Sequence, residues 1–256
     1  MPQNIIACRT GCYGKHKEHA FEHMARIGLL NAEVGYLPES EWPAFEAKLK
    51  RHGIRVTSTA GGVDLSKSEA VGTLTGLARM AQRFGAKVIF LSVKTGGAPK
   101  EQAYAKLREL GGIAAAHGAT IALETHPDLV TNGDLGAETA RGTNHPHVKL
   151  NYDSANLYYY NEGVDGIVEL KKFIPYLGAV HLKETNGKLK TWYFPGLHEG
   201  EGIVNFPEIF RLCHAAGFYG PFTMEIEGIE GEDLTLEQTC ARMANSVAYL
   251  KSIGQM

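Results

Sequence analysis

Apolar and polar positions along this chain follow two periods that take turns. Short runs rich in β-branched and apolar residues are each followed by a longer stretch with apolar residues three or four apart. NIIACR precedes HKEHAFEHMARIGL, AEVGY precedes SEWPAFEAKLKRHG, and IRVTST precedes SEAVGTLTGLARMAQRFG. KVIFLSV, TIALET and VKLNYD lead into PKEQAYAKLRELGGIAAAHG, GDLGAETARGT and VDGIVELKKFI. GAVHLKE and PFTMEIE lead into FPEIFRLCHAAG and TLEQTCARMANSVAYLKSI, which makes eight strand–helix units. Their repeat of about 30 residues is the size of one βαβ unit.

Strands that alternate with helices pair in parallel, because each helix returns the chain to the same end of the sheet. Both faces of such a sheet are covered, which explains strands that are apolar almost throughout. Gly53, Gly85, Gly118 and Gly217 each stand where a helix would need a left-handed C-cap. Asn205 with Glu208 predicts a capping box, with Pro207 in the first turn. Eight units in 256 residues predict an α/β protein with one domain over 1–256. Its architecture would be a (β/α)8 barrel with its active site at the C-terminal strand ends. A doubly wound open sheet satisfies the same alternation, since periodicity does not show closure.

Composition narrows the ligand. A hydrophobic share of 44% supports a sizeable core, and a net charge of -2 gives no basic footprint for nucleic acid or an anionic membrane. A small, neutral or weakly charged partner fits better. Cys8, Cys12, Cys213 and Cys240 form no Cys-x-x-Cys pair and read as reduced thiols. The opening MPQNIIACRTG lacks a basic segment followed by a long apolar one, and no later run reaches the roughly 20 apolar residues of a membrane helix. A cytoplasmic protein is expected.

IALETHPD, residues 121–128, begins like a core strand yet ends in Glu124, His126 and Asp128; KLNYDSAN, AVHLKET and FTMEIEG end similarly. Alternation places Ala122, Glu124 and His126 on one face, and Asn151 with Asp153, Ala179 with His181, and Thr223 with Glu225 on the equivalent faces. Asp153 follows Glu124 by 29 residues, His181 follows Asp153 by 28, and Glu225 follows His181 by 44. The excess in the last interval matches TNGKLKTWYFPGLHEGEGI, a long segment of the kind that is usually functional. Facing inward, the four residues would meet in one pocket. Carboxylates so placed would repel and raise one another's pKa unless a cation sat among them. Oxygen donors with one imidazole suit one divalent ion, Mn2+ first, with Mg2+, Co2+ and Zn2+ compatible. Singly, an acid at a strand end reads as a helix N-cap or salt-bridge partner; four in register favour the pocket.

At these residues the chain resembles the xylose isomerase-like barrel superfamily, in its sugar phosphate isomerase/epimerase branch. The resemblance covers nearly the whole chain and is strongest from Thr120 to Gly228, carried by ALETH, YDSAN, VHLKE, GEGIVNF and MEIEG. It implies that Glu124, Asp153, His181 and Glu225 are metal ligands, and that Glu124 and Glu225 double as acid and base across a sugar. A C–H between a polarised carbonyl and a hydroxyl is acidified, so one carboxylate can remove its proton. Return of the proton from the other side epimerises the carbon; return to the adjacent carbon isomerises the sugar. Ketose 3-epimerases of the superfamily generally place a histidine three residues after the sixth-strand Asp and an arginine after the seventh strand. This chain has Asn156 and His198 at those places, where they are the candidate substrate-binding residues, and the change leaves the substrate open. An inosose dehydratase-type lyase starts with the same abstraction and then expels a β-hydroxyl. An endonuclease IV-like hydrolase would need extra His ligands and a basic groove, which the sequence does not offer.

The remaining candidates surround that site. His126 could bind a substrate hydroxyl or simply a backbone carbonyl, and Lys183 could steady an enediolate oxygen or pair with an acid. Glu227 shares the inward sense of Glu225 and is an alternative ligand further out. Tyr158, Tyr159, Tyr160, Trp192, Tyr193 and Phe194 put aromatic surface at the mouth, to stack on a sugar or to join copies in a homo-oligomer. HAFEH, residues 19–23, matches the H-x-x-E-H zinc protease pattern, but on an outer helix it would be merely solvated. A non-catalytic carbohydrate-binding barrel is a further class.

Overall fold

The apolar runs do pair in parallel, and the sheet they form has no edge. A computed structural model describes residues 3–256. Strands β1 (Ile6–Arg9), β2 (Asn31–Gly35), β3 (Arg55–Asp64), β4 (Val88–Lys94), β5 (Thr120–Leu123), β6 (Val148–Asp153) and β7 (Leu177–Leu182) follow one another round the barrel. A further short pair intervenes in the chain, β8 (Tyr193–Phe194) and β10 (Gly228–Ile229), antiparallel to each other. Between them β9 (Phe222–Met224) pairs with β7 on one side and β1 on the other, Ile6 beside Phe222 and Cys8 beside Met224. That closure excludes the open sheet.

Helices α1 (Ala20–Arg26), α2 (Trp42–His52), α3 (Glu69–Phe84), α4 (Lys100–Ala116), α5 (Gly133–Thr143), α7 (Gly166–Phe173), α8 (Phe206–Ala215) and α9 (Leu236–Ser252) alternate with the barrel strands. A short α6 (Asn156–Tyr160) adds a turn after β6. Their apolar faces pack on outward strand residues such as Ile121, Leu123, Leu150, Tyr152, Val180, Leu182, Phe222 and Met224 in one continuous core. Val88, Ala122 and Ala179 form a separate cluster, because alternation turns them to the barrel axis. The same inner layer holds buried Ser58, Asn151 and Thr223. Small and polar side chains thus line the interior beneath the strand ends.

Gly53, Gly85, Gly118 and Gly217 take φ of 65°, 78°, 70° and 77°, as helix ends require. Two local expectations need correction. The first predicted helix, HKEHAFEHMARIGL, opens inside a 3-10 segment over Thr10–His19 in which His16 leaves the helical region at φ -101° and ψ 17°, and α1 runs only from Ala20. Asn205 accepts the Glu208 amide as predicted, but the Glu208 carboxylate pairs with Arg211 at 2.6 Å, so the box is half formed. The complete box is Thr235 with Gln238 at α9. All four cysteines are free thiols. Among the described residues no helix is long and apolar enough to cross a membrane.

Phe222 is fully buried, with the rings of Phe210 and Phe218 at 4.5 and 5.3 Å. Phe222→Ala should lower unfolding free energy by about 3–5 kcal/mol in urea titrations. A loss below about 1 kcal/mol would contradict the packing described.

Candidate active site

Strand register assembles the site. Asp153 ends β6 beside His181 of β7, whose other neighbour is Thr223 of β9, two residues before Glu225. Asp153, His181 and Glu225 are all buried, and one ligand atom from each lies within 4.8 Å of the others. His181 Nδ1 is 3.0 Å from Glu225 Oε2 and 3.8 Å from Asp153 Oδ2. Asp153 Oδ1 accepts the amides of Ala155 and Asn156 at 2.9 and 2.8 Å, while Oδ2 is buried with no hydrogen-bond partner. A bare buried carboxylate oxygen is costly, and a divalent cation among these donors would satisfy it. The residues present therefore fit such an ion.

Glu124 stands one residue beyond β5, half-buried, its amide donating to the Leu91 carbonyl at 3.1 Å. It lies outside the tight group but lines the same cavity of about 540 Å³ as Glu225. Burial, and then the Glu124 carboxylate among others, pushes the Tyr160 phenol up. Three of the four expected ligands thus come together, and Glu124 is on the cavity wall.

His126, Asn156 and Lys183 also line this cavity. His126 Nδ1 is 2.6 Å from its neighbour's carbonyl, that of Pro127. Asn156 donates to the Thr125 carbonyl at 3.1 Å and accepts Lys183 Nζ at 3.1 Å. Lys183 also pairs with Glu227, reaches Glu225 Oε2 at 3.4 Å, and sits 4.3 Å over the Phe194 ring. Asp128 is occupied elsewhere, accepting the amide and hydroxyl of Thr95. The structure does not bring His198 to the cavity: its ring stacks on Tyr249 of α9 at 4.6 Å and its amide donates to Glu184. His19, Glu22 and His23 form no ligand group, because His23 is buried against the Tyr13 hydroxyl at 2.8 Å.

Two charged residues that sequence reasoning passed over complete the site. Arg9, at the end of β1, hydrogen-bonds Glu225 Oε1 and lies 5.4 Å over the Phe90 ring. Glu33, in the middle of β2 and 1% exposed, accepts Ser58 Oγ at 2.8 Å and lies 3.3 Å from His181 Nε2. Burial pushes the Glu33 carboxyl up, but His181, Arg9 and Ser58 outweigh it and leave it below its usual range. The available signal was a carboxylate in the apolar run AEVGY, where a charge survives burial only when paired.

The long loop after β7 forms the outer wall. Trp192 and Phe194 line the cavity, and the pairing of β8 with β10 holds them there. Glu184 anchors the loop by accepting the amides of Thr185, His198 and Val204 at 3.1, 2.9 and 3.0 Å. Burial leaves its carboxyl above the ordinary range despite these donors. Gly202 passes so close that a Cβ would meet Glu184 Oε2 at 2.6 Å, which explains glycine there. Arg242 of α9 ties Glu199 and Glu232 together at 2.9 and 2.7 Å behind the wall.

A family model described as xylose isomerase-like TIM barrel matches residues 19–251. The chain is similar to the L-ribulose-5-phosphate 3-epimerase UlaE of Escherichia coli (strain K12), 30% identical over 138 residues, 53% of this chain and 46% of that protein. It therefore spans less than half the length of the curated relative it matches. A xylose isomerase-like TIM barrel protein from Mycobacterium smegmatis in complex with magnesium superposes with a TM-score of 0.76 at 19% identity, covering 100% of this chain and 99% of that one. D-psicose 3-epimerase with D-tagatose from Clostridium cellulolyticum H10 gives 0.76 at 16% identity, covering 98% and 99%.

Removing the anchor should loosen the wall. Glu184→Ala leaves one buried and two part-buried amides without their acceptor, at a cost of about 1–3 kcal/mol. Hydrogen exchange at residues 198–204 is expected to accelerate while the β1–β6 amides stay protected. Unchanged protection in 198–204 would show that the loop is held by something else.

Proposed function

The chain belongs to the xylose isomerase-like TIM barrel family, and from that premise we propose a divalent-metal-dependent isomerase or epimerase acting on a sugar or related polyol ketone. The observation that carries this reading is the buried Asp153–His181–Glu225 group, with its bare Asp153 oxygen, opening onto a cavity shared with Glu124. Asp153, His181 and Glu225 would hold the ion, with Glu124 completing the set from the wall. Mn2+ is the first choice, and Mg2+, Co2+ and Zn2+ suit the same donors. When bound, the ion polarises the substrate carbonyl and stabilises negative charge on its oxygen.

The side chains do the rest. One of Glu124 and Glu225 removes the proton beside the carbonyl, and the other returns it from the opposite side of the enediolate. Arg9 holds Glu225 by one oxygen, which orients the carboxylate. Lys183 and Asn156, bonded to each other, offer polar contacts to substrate hydroxyls, and His126 offers another. Phe90, Tyr159, Tyr160, Trp192 and Phe194 supply apolar surface that stacks on C–H faces and excludes water.

Charge argues for an unphosphorylated substrate. Glu33, Glu124, Asp153, Glu225 and Glu227 surround the site, against Arg9 and Lys183, both paired with carboxylates. Even with a divalent ion the formal balance stays negative, which disfavours a phosphate dianion.

Incubation of the Mn2+-loaded protein with ketoses, aldoses and inososes in deuterated water should give deuterium uptake at one carbon. Release of water instead would assign the lyase chemistry of inosose dehydratases, and neither result with any member of the panel would defeat the reading. Glu124→Gln and Glu225→Gln should each lower turnover about 10²–10⁴-fold with far-UV circular dichroism unchanged. Near-normal rates in both would rule out the two-carboxylate mechanism. A chelator should abolish activity and Mn2+ restore it. A ketose should also have the higher kcat/KM over its phosphate ester; the reverse preference would refute the charge argument.

A further inference from the structure

We propose that Glu33 is a positioning residue that fixes the proton of His181 on Nε2 and so leaves the Nδ1 lone pair free for the ion that Asp153, His181 and Glu225 would hold. This rests on the metal reading of the site given above. His181 is fully buried, and its two nitrogens face different partners. Nδ1 looks at Glu225 Oε2 and Asp153 Oδ2, at 3.0 and 3.8 Å, whereas Nε2 meets only Glu33 Oε2, at 3.3 Å. An ionised carboxylate has no proton to give, so the hydrogen of that contact belongs to Nε2; Nδ1 faces carboxylates too, and a cation among them would take the place of a proton there. Ring orientation is held independently by Phe90, stacked on the imidazole at 4.4 Å and 22°. Glu33 is itself aimed by Ser58, whose hydroxyl donates to the same oxygen at 2.8 Å. Its other oxygen, Oε1, is buried with no hydrogen-bond partner, the nearest cation being Arg9 Nε at 3.9 Å. A buried carboxylate with one oxygen left bare is an expensive feature to keep for packing alone. A carboxylate behind a ligating histidine both selects the tautomer and raises the basicity of the ligating nitrogen, which accounts for the arrangement.

Two readouts other than turnover test this. In metal-free protein carrying 15N-labelled histidine, long-range 1H–15N spectra should place a proton on His181 Nε2. Glu33→Ala should shift His181 toward the Nδ1-protonated tautomer and weaken Mn2+ binding, measured by calorimetry, about 10–100-fold. Glu33→Gln, whose amide oxygen can still accept, should keep the Nε2 proton yet bind Mn2+ more weakly than wild type. If the alanine variant fails to fold, Glu33→Asp replaces it: the shortened carboxylate keeps the charge but loses His181, so the same two changes are expected. A folded Ala or Asp variant with wild-type affinity and an unchanged His181 spectrum would overturn the proposal. Wild-type protein that binds none of Mn2+, Mg2+, Co2+ or Zn2+ would instead defeat the metal reading, and the His181 spectrum would still report on Glu33 separately.

Discussion

Glu33, Asp153 and Glu225 crowd, buried, round one imidazole beneath the mouth of a barrel, and that arrangement is tolerable only where positive charge is placed among them. Much else in the molecule follows from this constraint. Arg9 reaches in from β1 to Glu225, and Lys183, one residue past β7, meets Glu225 and Glu227. Each cation is also laid over an aromatic ring, Phe90 or Phe194, which replaces hydration lost on burial. Asp153 retains one oxygen committed to no protein group, and a divalent ion is the partner its surroundings suit.

The barrel can carry this electrostatic load because stability and chemistry occupy opposite faces of the same strands. Outward residues build one continuous apolar core with the helices, whereas the inner layer of Val88, Ala122 and Ala179 with Ser58, Asn151 and Thr223 is narrow and partly polar. The partly polar inner face thus adjoins the site, while the outer face carries the packing against the helices. The mouth is finished by the loop after β7, which would be too long to hold a shape unaided. Glu184 from below and Arg242 from behind give it fixed points, and Trp192 and Phe194 then have a defined place at the cavity.

The pocket is acidic and aromatic, and both of its cations are paired with carboxylates. UlaE carries a phosphate ester in its name, and the similarity reaches under half its length. In this chain Lys183, Asn156, His126 and the aromatic residues Tyr159, Tyr160, Trp192 and Phe194 line the cavity.

Much of this was legible along the chain. Strands covered on both faces must be apolar, helices on the outside must be amphipathic, and eight such alternations in 256 residues leave few architectures. Glu124, Asp153, His181 and Glu225 stood out for the same reason, as polar ends of apolar runs in matching phase. Tertiary structure alone decided the rest. Closure of β9 on β1 is a non-local event that leaves no periodic trace, yet it brings Arg9 to Glu225 and Glu33 to His181 from the far end of the chain. The irregular path between residues 185 and 203 has no period to read, so only the fold could turn His198 onto Tyr249 and away from the cavity. Whether Glu124 touches the ligand group or stands on the wall depends on how far the chain runs past β5, a distance of ångströms that spacing in residues does not resolve.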